Sequence, residues 1–476
     1  MSIENSTRRN LIFAVMLAAS IAGGFAQTSL TTALPSVMHD LNINAVLGNW
    51  LTSGFSLAMA IIVPATAFMM KRFHTKALFI TGIAIFTIGL FMAAVAPTFN
   101  VLMLARVIQA IGCGISLSMT QVIILAIFPI SSQGTAMGVY GLAVGAAPVI
   151  APTLTGLIVD SLGWRPIFWI SAIISSLVLL LAIFVMDNVL ENQAIHMDIT
   201  SFLLCGFGFA GMQLGLSNLG TSAFFSPEVI GTFILSAMSL LAFVMRQKRL
   251  QEPFLNLRLF RNRSFSMAVA LICILYAIMI AGSTIIPIYL QQMRGFPVTE
   301  SALMMLPGSL VMAAITPLAG RLFDNIGPKP LTIVGMTALV ISSVGFSLLT
   351  DSTNPLYVII IFTIRLIAVG LMMMPITTWG IASVEQRYTS DASALLTSLR
   401  TLAGAFGSAI FVAVMVGAAS LPTLHSLDIP IPHSIAGLDI SFAGMTALSV
   451  IGLILAIIAF RKPKLATTKV DEVAKR

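Results

Sequence analysis

The chain has 476 residues, of which 58% are hydrophobic and only 9% are charged. This composition excludes a soluble domain, which would need far more charged surface at this length, and it predicts a polytopic α-helical membrane protein. The net charge of +8 does not indicate nucleic-acid binding, because the basic residues cluster in the loops between apolar segments, as orientation signals do.

Fourteen apolar segments follow one another along the chain, without the alternation of polar and apolar residues that a β-barrel needs. Their predicted limits are roughly 11–34, 50–70, 77–95, 101–127, 135–159, 167–186, 199–216, 229–245, 265–290, 301–322, 331–349, 356–382, 394–418 and 440–460. Lys and Arg are concentrated in one set of loops and at both chain ends, whereas the opposite loops contain only Arg165 and Arg294. We therefore expect a multi-pass protein of the cytoplasmic membrane with both termini in the cytoplasm.

A long-range repeat relates the two ends of the chain. Arg106 and Arg365 are separated by the same number of positions as Gly145 and Gly404. The repeat predicts an all-α fold of two parallel six-helix bundles plus two inserted helices, a layout typical of transporters. The predicted domains are a first bundle at 1–190, two inserted helices at 191–250, a cytoplasmic amphipathic linker at 251–264, a second bundle at 265–462 and a cytoplasmic tail at 463–476.

The fifth segment carries a stripe of glycines and prolines at helical steps of three or four, so that they share one face. This glycine–proline stripe consists of Gly134, Gly138, Gly141, Gly145, Pro148, Pro152 and Gly156. A face with almost no side chains lets another helix backbone come very close, either as static packing or as a seam that moves. The second half has only two corresponding glycines, Gly404 and Gly407. Because a stripe needed only for packing would have no reason to differ between the halves, we favour the functional seam.

Charges inside the apolar segments are few, since each costs about 2.5–3.5 kcal/mol even on a lenient insertion scale. Arg106 either lines a cavity, with Gln109 on the same helical face, or snorkels to the outer headgroups. Arg365 is expected to bond backbone carbonyls in the second bundle or to act in function, and Arg400 to serve the cytoplasmic gate. All seventeen Asp and Glu residues fall in loops or at segment ends, so no proton carrier is evident in mid-membrane.

A central cavity is expected to be apolar with a few polar points. Its candidate substrate-binding residues are Gln27, Thr31, Gln109, Met119, Gln121, Tyr276, Met373 and Trp379. The 27 methionines and 30 phenylalanines suit adaptable binding of varied lipophilic compounds. Because no acid is expected in the cavity, we expect the protein to prefer cationic substrates only weakly and to transport neutral or zwitterionic compounds better.

A membrane enzyme is the first alternative class, but the motifs that would support it are missing. The sequence contains no H-E-x-x-H pair, no G-x-S-x-G elbow and no nucleotide-binding G-x-x-x-x-G-K-[ST] loop. Cys113, Cys205 and Cys273 lie in apolar segments at spacings that suggest neither a metal site nor a disulfide framework. We therefore expect no catalytic site, no cofactor and no metal.

Several motifs, in order along the chain, carry a family resemblance. They read TALP (32–35), LMLARVIQAIGCG (102–114), GLAVGAAPVIAPTLTG (141–156), RLFRNRSF (258–265), GRLFDNIGPK (320–329) and RLIAVGLMMMPITTWG (365–380). With them the chain resembles the major facilitator superfamily, and within it the fourteen-helix drug:proton antiporter branch of the lincomycin-resistance type. Several positions depart from the family pattern. Lys71 stands where an aspartate is usual, Ala26 stands where many relatives carry an acid, and His74, Ala110, Ala151 and Thr155 stand where glycine is usual.

The resemblance implies a multidrug efflux transporter that works by alternating access in exchange for protons. It implies that Arg106 couples protonation to the motion, and that Asp324, with Gly327 and Lys329, forms a gating loop that favours the outward-open state. A coupled antiporter would have to use Asp40 or Asp160 near the outer mouth, or let Arg106 tune a bound substrate or water. The expected partners are small lipophilic substrates, protons and membrane lipids, with the protein acting as a monomer. The alternative is an exporter or importer of one specific metabolite on the same fold.

Overall fold

The computed structural model describes residues 6–190, 192, 198–218, 226–250, 255–419 and 433–460. The helices in these residues are α1 (Ser6–Asp40), α2 (Ala45–Arg72), α3 (Thr75–Ala94), α4 (Phe99–Ile127), α5 (Gln133–Leu162), α6 (Arg165–Val185), α7 (Ile199–Asn218), α8 (Pro227–Arg249), α9 (Arg263–Ile288), α10 (Val298–Ile326), α11 (Pro328–Phe346), α12 (Pro355–Ala382), α13 (Thr389–Ala419) and α14 (His433–Ala459). The predicted tail at 463–476 and part of the predicted linker lie outside the described residues.

Twelve of the described helices are long and apolar enough to cross a membrane. The other two are α5, in which several side chains lie outside the described residues, and α7, whose apolar part is the shorter stretch Ile199–Gly215. The all-helical, multi-span prediction is therefore confirmed. The count of fourteen spans is not confirmed and stays a prediction.

Polar side chains begin several helices by accepting hydrogen bonds from otherwise unpaired backbone N–H groups. The Asn44 side chain accepts from the Leu47 N–H at 2.9 Å at the start of α2. The Asn262 side chain does the same for α9, and its own Nδ2 donates to the Ser383 carbonyl beyond α12 at 2.7 Å. This last bond fixes the end of the linker against the second half of the molecule.

The first six helices and the last six pair in the same way. In the first set, α1 packs on α5, α2 on α4, and α3 on both α4 and α6. In the second set, α9 packs on α13, α10 on α12, and α11 on both α12 and α14. We call these two sets the first half (α1–α6) and the second half (α9–α14). The residue limits of the predicted domains stay predictions.

The pair α7 and α8 stands between the halves in sequence, and α7 also stands between them in space. α7 packs along α2 of the first half and touches α13 of the second. An ion pair holds the hairpin together, because Arg246 at the end of α8 donates to both carboxylate oxygens of Asp198 at 2.7 and 2.9 Å. Gln247 links the same end to the linker by accepting from the Leu255 N–H at 3.1 Å.

The halves meet through α5 against α10 and through α2 against α13. Both contacts are anchored at one end of the bundle, where α2 and α10 end and where α5 and α13 begin. We call it the basic end, because Lys71 and Arg72 lie there in the last turn of α2. Asp40 and Arg165 form an ion pair at the opposite end, 2.5 Å apart.

Candidate functional site

A cavity of about 200 Å³ lies between the two halves. Its walls come from α1, α2, α4 and α5 of the first half, from α9 and α13 of the second, and from the inserted α7. The lining residues are Gln27, Ser56, Met59, Ala60, Val63, Leu117, Ser118, Gln121, Tyr140, Val144, Phe209, Gln213, Tyr276, Thr397, Ser398, Arg400, Thr401 and Leu402. Both halves therefore contribute to a mixed apolar and polar surface, which we call the central cavity.

Arg400 is the one charged side chain among these described lining residues. Only 9% of it is exposed, and the guanidinium carbon lies 5.1 Å from the centre of the Tyr276 ring. A cation over an aromatic face is attracted by the ring, but this contact satisfies none of the guanidinium hydrogen-bond donors. Nη1 of Arg400 has no hydrogen-bond partner in the described structure.

Arg106 is fully buried within the first half and ties three of its helices together. Nη1 donates to the Ala26 carbonyl of α1 at 3.0 Å, and Nε donates to the Leu51 carbonyl of α2 at 3.2 Å. The guanidinium also lies 4.2 Å from the centre of the Phe55 ring. Because its donors bond backbone carbonyls, Arg106 acts as a strut inside the half, and it does not line the central cavity.

Gln109 extends the Arg106 network to a fourth helix. Its Oε1 accepts from Nη1 of Arg106 at 2.9 Å, and its Nε2 donates to the Gly89 carbonyl of α3 at the same distance. Both polar atoms of the amide are thus used inside the half. Nη2 of Arg106 has no partner in the described structure, which leaves one donor of the network free.

Arg365 has the corresponding position in the second half and the same kind of environment. Its Nη2 donates to the Ile278 carbonyl of α9, as the sequence suggested for this residue, and lies 3.5 Å from the sulfur of Met445 in α14. The guanidinium lies near the Phe346 and Phe442 rings, which stack on each other 5.0 Å apart. Arg106 and Arg365 therefore each hold together the helices of one half.

The first part of the glycine–proline stripe faces α10 of the second half. A Cβ added at Gly138 would lie 2.9 Å from the Thr316 carbonyl oxygen, whereas one at Gly145 would lie 3.5 Å from the Met312 side chain. At Gly156 no described atom would lie within 4 Å. α5 and α10 are therefore in close contact at the basic end and diverge toward the opposite end. The side chains of Pro148 and Pro152 lie outside the described residues.

Asp324 closes the basic end on the α5–α10 side by capping the start of α5. One carboxylate oxygen accepts from the Gly134 N–H at 2.7 Å, and the other accepts from the Thr135 N–H at 2.7 Å and from its hydroxyl at 2.6 Å. A carboxylate is favoured here, because the first backbone N–H groups of a helix are unpaired and carry a partial positive charge. The cap comes from α10, so it joins the two halves directly.

Gly327 determines how the chain leaves this cap. Gly327 ends α10 at φ 76°, a left-handed conformation that side chains other than glycine rarely adopt, and α11 follows immediately. Lys329 is exposed in the first turn of α11. The glycine therefore permits the sharp reversal that presents Asp324 to α5.

A second polar contact closes the basic end on the α2–α13 side. Nζ of Lys71, in the last turn of α2, lies 2.5 Å from Oδ2 of Asp391 in the first turn of α13. The Asp391 side chain is fully buried and the Lys71 side chain is 14% exposed. Lys71 therefore stands at the position where the family motif usually has an aspartate. The acidic partner of the pair, Asp391, comes from the facing helix α13.

A larger cavity of about 380 Å³ lies at the basic end, between the start of α5 and the end of α12. Its lining includes Gln133 from the first half and Gln386 from the second. Near it the hydroxyl of Ser393 in α13 donates to Oε1 of Gln121 in α4 at 3.3 Å. Gln121 lines the central cavity, so this bond lies between the closed basic end and the central cavity.

The sequence pattern of the Major Facilitator Superfamily matches residues 16–408. The chain belongs to this superfamily. The uncharacterized MFS-type transporter YcnB of Bacillus subtilis (strain 168) is 35% identical over 465 residues, which cover 97% of this chain and 98% of that protein. Lincomycin resistance protein LmrB of the same organism is 34% identical over 446 residues, which cover 92% of this chain and 93% of that protein.

Solved structures of the superfamily share the fold. A crystal structure of a double tryptophan mutant of XylE matches with a TM-score of 0.70 and covers 97% of this chain and 98% of its own, at 15% identity. The family match, the similarity to YcnB and LmrB and the apolar helices together place this major facilitator protein among the multi-span membrane transporters.

The structure brings three of the predicted substrate-binding residues of this major facilitator protein together, namely Gln27, Gln121 and Tyr276. Thr31 is exposed on α1, and Gln109 is used inside the first half. Met119 is fully buried in the apolar core of the first half, and Met373 is half-buried against the cores of both halves. Trp379 packs on the Phe460 ring, with the ring centres 4.7 Å apart. None of these five lines the central cavity.

Sequence reasoning missed most of the lining of the central cavity, and three of the missed residues stand out. Arg400 was expected at the cytoplasmic gate, but it lines the central cavity. Phe209 and Gln213 of the inserted α7 also line it, although no motif marks them. A buried charge was visible in the sequence at Arg400, whereas the placement of α7 beside the cavity depends on tertiary packing that periodicity does not encode. The side chain of Asp160 lies outside the described residues.

Proposed function

We propose that this protein is a multidrug exporter of the cytoplasmic membrane, which moves lipophilic compounds out of the cell by alternating access in exchange for protons. The observation that carries the proposal is the central cavity, which both halves line and which lies between helices that are joined at one end. Alternating access needs such a cavity, together with contacts that break at one end when the other end closes.

Orientation and gating follow from this proposal. With both termini in the cytoplasm, the basic end is cytoplasmic, and the contacts of Asp324 and of Lys71 with Asp391 close the cytoplasmic side. Gly327 and Lys329 hold the gating loop in place. The stripe from Gly141 to Gly156 forms the seam along which α5 and α10 part. The protein acts as a monomer among membrane lipids.

The drug-export part of the proposal is supported by the similarity to LmrB, whose name assigns it to lincomycin resistance. The proton part is supported by the resemblance to drug:proton antiporters. Arg106 is the proposed coupling residue, as the resemblance to the antiporters implies, and its Nη2 is buried without a partner in the described structure. Asp160 is the proposed proton site at the outer mouth. The proposed cavity contacts to substrate are Gln27, Gln121 and Tyr276.

The test of export compares a blocked cavity with an equally bulky change on the lipid side. Ser118→Trp fills the central cavity, and Thr337→Trp adds the same bulk to an exposed position on α11. In a pump-deficient host, the intact chain and Thr337→Trp should raise tolerance to lipophilic antibiotics, whereas Ser118→Trp at equal protein level should not. If the intact chain protects against no compound of a broad panel, drug export is wrong and a single-metabolite transporter is favoured.

Proton exchange is tested separately in inside-out vesicles. The substrate is a compound to which the chain gives tolerance. Its uptake should stop when the pH gradient is collapsed with the membrane potential held constant. Uptake that is indifferent to the gradient contradicts proton exchange and leaves export itself in place.

A further inference from the structure

Arg400 is a buried cation in the central cavity without an acidic partner. None of the eighteen described lining residues carries a carboxylate, and no described ion pair involves Arg400. A buried charge that lacks a counter-ion is costly in a membrane protein, so such residues are paired or mark the path of a charged ligand. The central cavity is where a mobile counter-ion could meet this one.

Three hydroxyl groups in the same cavity also lack hydrogen-bond partners in the described structure. They belong to Ser118 of α4 and to Thr397 and Ser398 of α13. Buried polar groups are normally satisfied, so four unpartnered side chains in one cavity, counting Arg400, indicate a ligand or ordered water that bonds them. All four are hydrogen-bond donors, and an oxyanion offers several lone pairs to accept from such donors.

Much of the remaining cavity wall is apolar, although amide side chains such as Gln27, Gln121 and Gln213 also line it. Met59, Val63, Leu117, Val144 and Phe209 contribute hydrocarbon or aromatic surface around the polar group. A cavity of about 150 Å³ holds a benzene-sized molecule, so the central cavity, at about 200 Å³, has room for a small aromatic body beside a polar head. A charged group and apolar surface within one cavity match an amphipathic ligand.

We propose that the central cavity binds amphipathic organic anions, with Arg400 and the three hydroxyl groups holding a carboxylate or sulfonate and the apolar wall holding an aromatic body. This inference rests on the proposed export function and names its preferred substrate class. The cavity discriminates against organic cations, because Arg400 repels them and no lining carboxylate offsets that repulsion. The preference therefore extends beyond the neutral and zwitterionic compounds expected from the sequence.

The binding test uses three probes of nearly the same shape and different charge. They are 2-naphthoate, its uncharged methyl ester and the cationic 2-naphthylmethylamine, each titrated against the purified full-length protein in detergent. We expect the carboxylate to bind at least tenfold more tightly than the ester, and the amine to bind most weakly. Equal affinity for the carboxylate and the ester overturns the proposal.

Variants separate the charge of Arg400 from its packing. Arg400→Gln should lower carboxylate affinity at least tenfold and leave ester affinity unchanged, whereas Arg400→Lys should keep most of the discrimination. Arg249→Gln, at an exposed position at the end of α8, is the matched control and should bind like the intact chain. Loss of carboxylate and ester binding together in Arg400→Gln, with the protein still folded, contradicts an anion site.

The outcome for the substrate class is distinguishable from the outcome for export. If Arg400→Gln does not fold, the ranking of the three probes on the intact chain still decides the proposal. Protection against uncharged drugs without preferential carboxylate binding leaves the export function standing and overturns the anion site. Tight carboxylate binding in a chain that exports nothing supports the anion site and overturns the export function.

Discussion

Lys71 and Asp391 form a buried ion pair between the halves, with Nζ and Oδ2 2.5 Å apart. The pair lies on the α2–α13 side of the basic end, opposite the cap that Asp324 makes on α5. Lysine in place of aspartate is therefore not a lost gating residue, because its charge is compensated by an acid on the facing helix. The two sides of the basic end are closed by different chemistry, an ion pair on one and a helix cap on the other.

Breaking the ion pair should open the basic end. Lys71→Ala leaves a fully buried carboxylate unpaired, and removing one partner of a buried pair costs about 3–5 kcal/mol. We expect at least a tenfold increase in the rate at which a cysteine introduced at Ser393 reacts with a membrane-impermeant thiol reagent supplied from the basic end. Transport should fall in parallel, because the closed state is less populated.

Two further variants make this result specific. The double exchange Lys71→Asp with Asp391→Lys should restore a large part of the protection, since it rebuilds the pair with reversed charges. Arg72→Ala, the exposed neighbour of the same charge, should leave the labelling rate unchanged. A double exchange no better than Lys71→Ala would argue against the pair as a gate.

Asp324→Asn should lower transport severalfold at unchanged protein level. Asparagine keeps one acceptor for the start of α5 but loses the second acceptor and the charge, which is worth about 0.3–1 kcal/mol at a helix N-terminus. The measurement is the export, from cells with matched amounts of protein, of a compound to which the chain gives tolerance. Asp351→Asn, in an exposed loop at the opposite end, is the control. Equal transport by Asp324→Asn and the intact chain would exclude the gating role.

Substitutions in the glycine–proline stripe should have effects on export that depend on their position along α5. Gly138→Ala places a methyl group against the backbone of α10, 2.9 Å from the Thr316 oxygen and 3.1 Å from the Cα of Pro317, and should impair closure of the basic end. Gly156→Ala meets no described atom within 4 Å and should be neutral. Gly145→Val should reduce export and add a proton leak. If Gly138→Ala and Gly156→Ala export equally well, the stripe is only a packing face.

The ion pair at the end of α7–α8 should make that hairpin sensitive to acid. Hydrogen bonds from Arg246 lower the pKa of Asp198 to about 2, below its ordinary value of 3.8. A lowered pKa in the folded state stabilises the fold above the ordinary pKa, and this contribution is lost as the pH falls from about 4 toward 2. Because solvent still reaches this partly exposed pair and screens it, the contribution is below about 1 kcal/mol.

Thermal unfolding in detergent checks the direction in which this contribution to stability changes with pH. Asp198→Asn should unfold at a slightly lower temperature than the intact chain at pH 7, and the difference should shrink as the pH approaches 2. A difference that grows on acidification contradicts the assigned direction.

Sequence features that act within one helix were predictable, and their relationships in space were not. The stripe and Asp324 were both recognised, but only the fold shows that Asp324 bonds the backbone of Gly134 at the head of the stripe. Lys71 looked like a defect because its partner is 320 positions away and no local pattern links them. A charged residue in an apolar segment either serves function or holds helices together. The rotation of its helix about the helix axis decides which of the two applies, because it determines what the side chain contacts.

Arg106 and Arg400 illustrate this last point. Both are arginines one or two turns into an apolar segment, and composition treats them alike. The structure gives Arg106 two backbone carbonyls and the Gln109 amide as acceptors, whereas Nη1 of Arg400 meets none. The contrast depends on the backbones that α1 and α2 bring beside Arg106, which a single segment cannot specify.

The coupling role of Arg106 can be separated from its role as a strut by comparison with Arg365. Both are fully buried and bond backbone carbonyls within one half, so loss of a strut should affect the two equally. We expect Arg106→Ala to abolish the dependence of vesicle uptake on the pH gradient, and Arg365→Ala to lower the amount of folded protein while leaving that dependence intact. Arg106→Lys keeps the charge but cannot reach all three acceptors, so it should remain coupled at a reduced rate. If Arg106→Ala and Arg365→Ala lose the same amount of folded protein and the same fraction of gradient-driven uptake, Arg106 is a strut and the proton must be handled elsewhere.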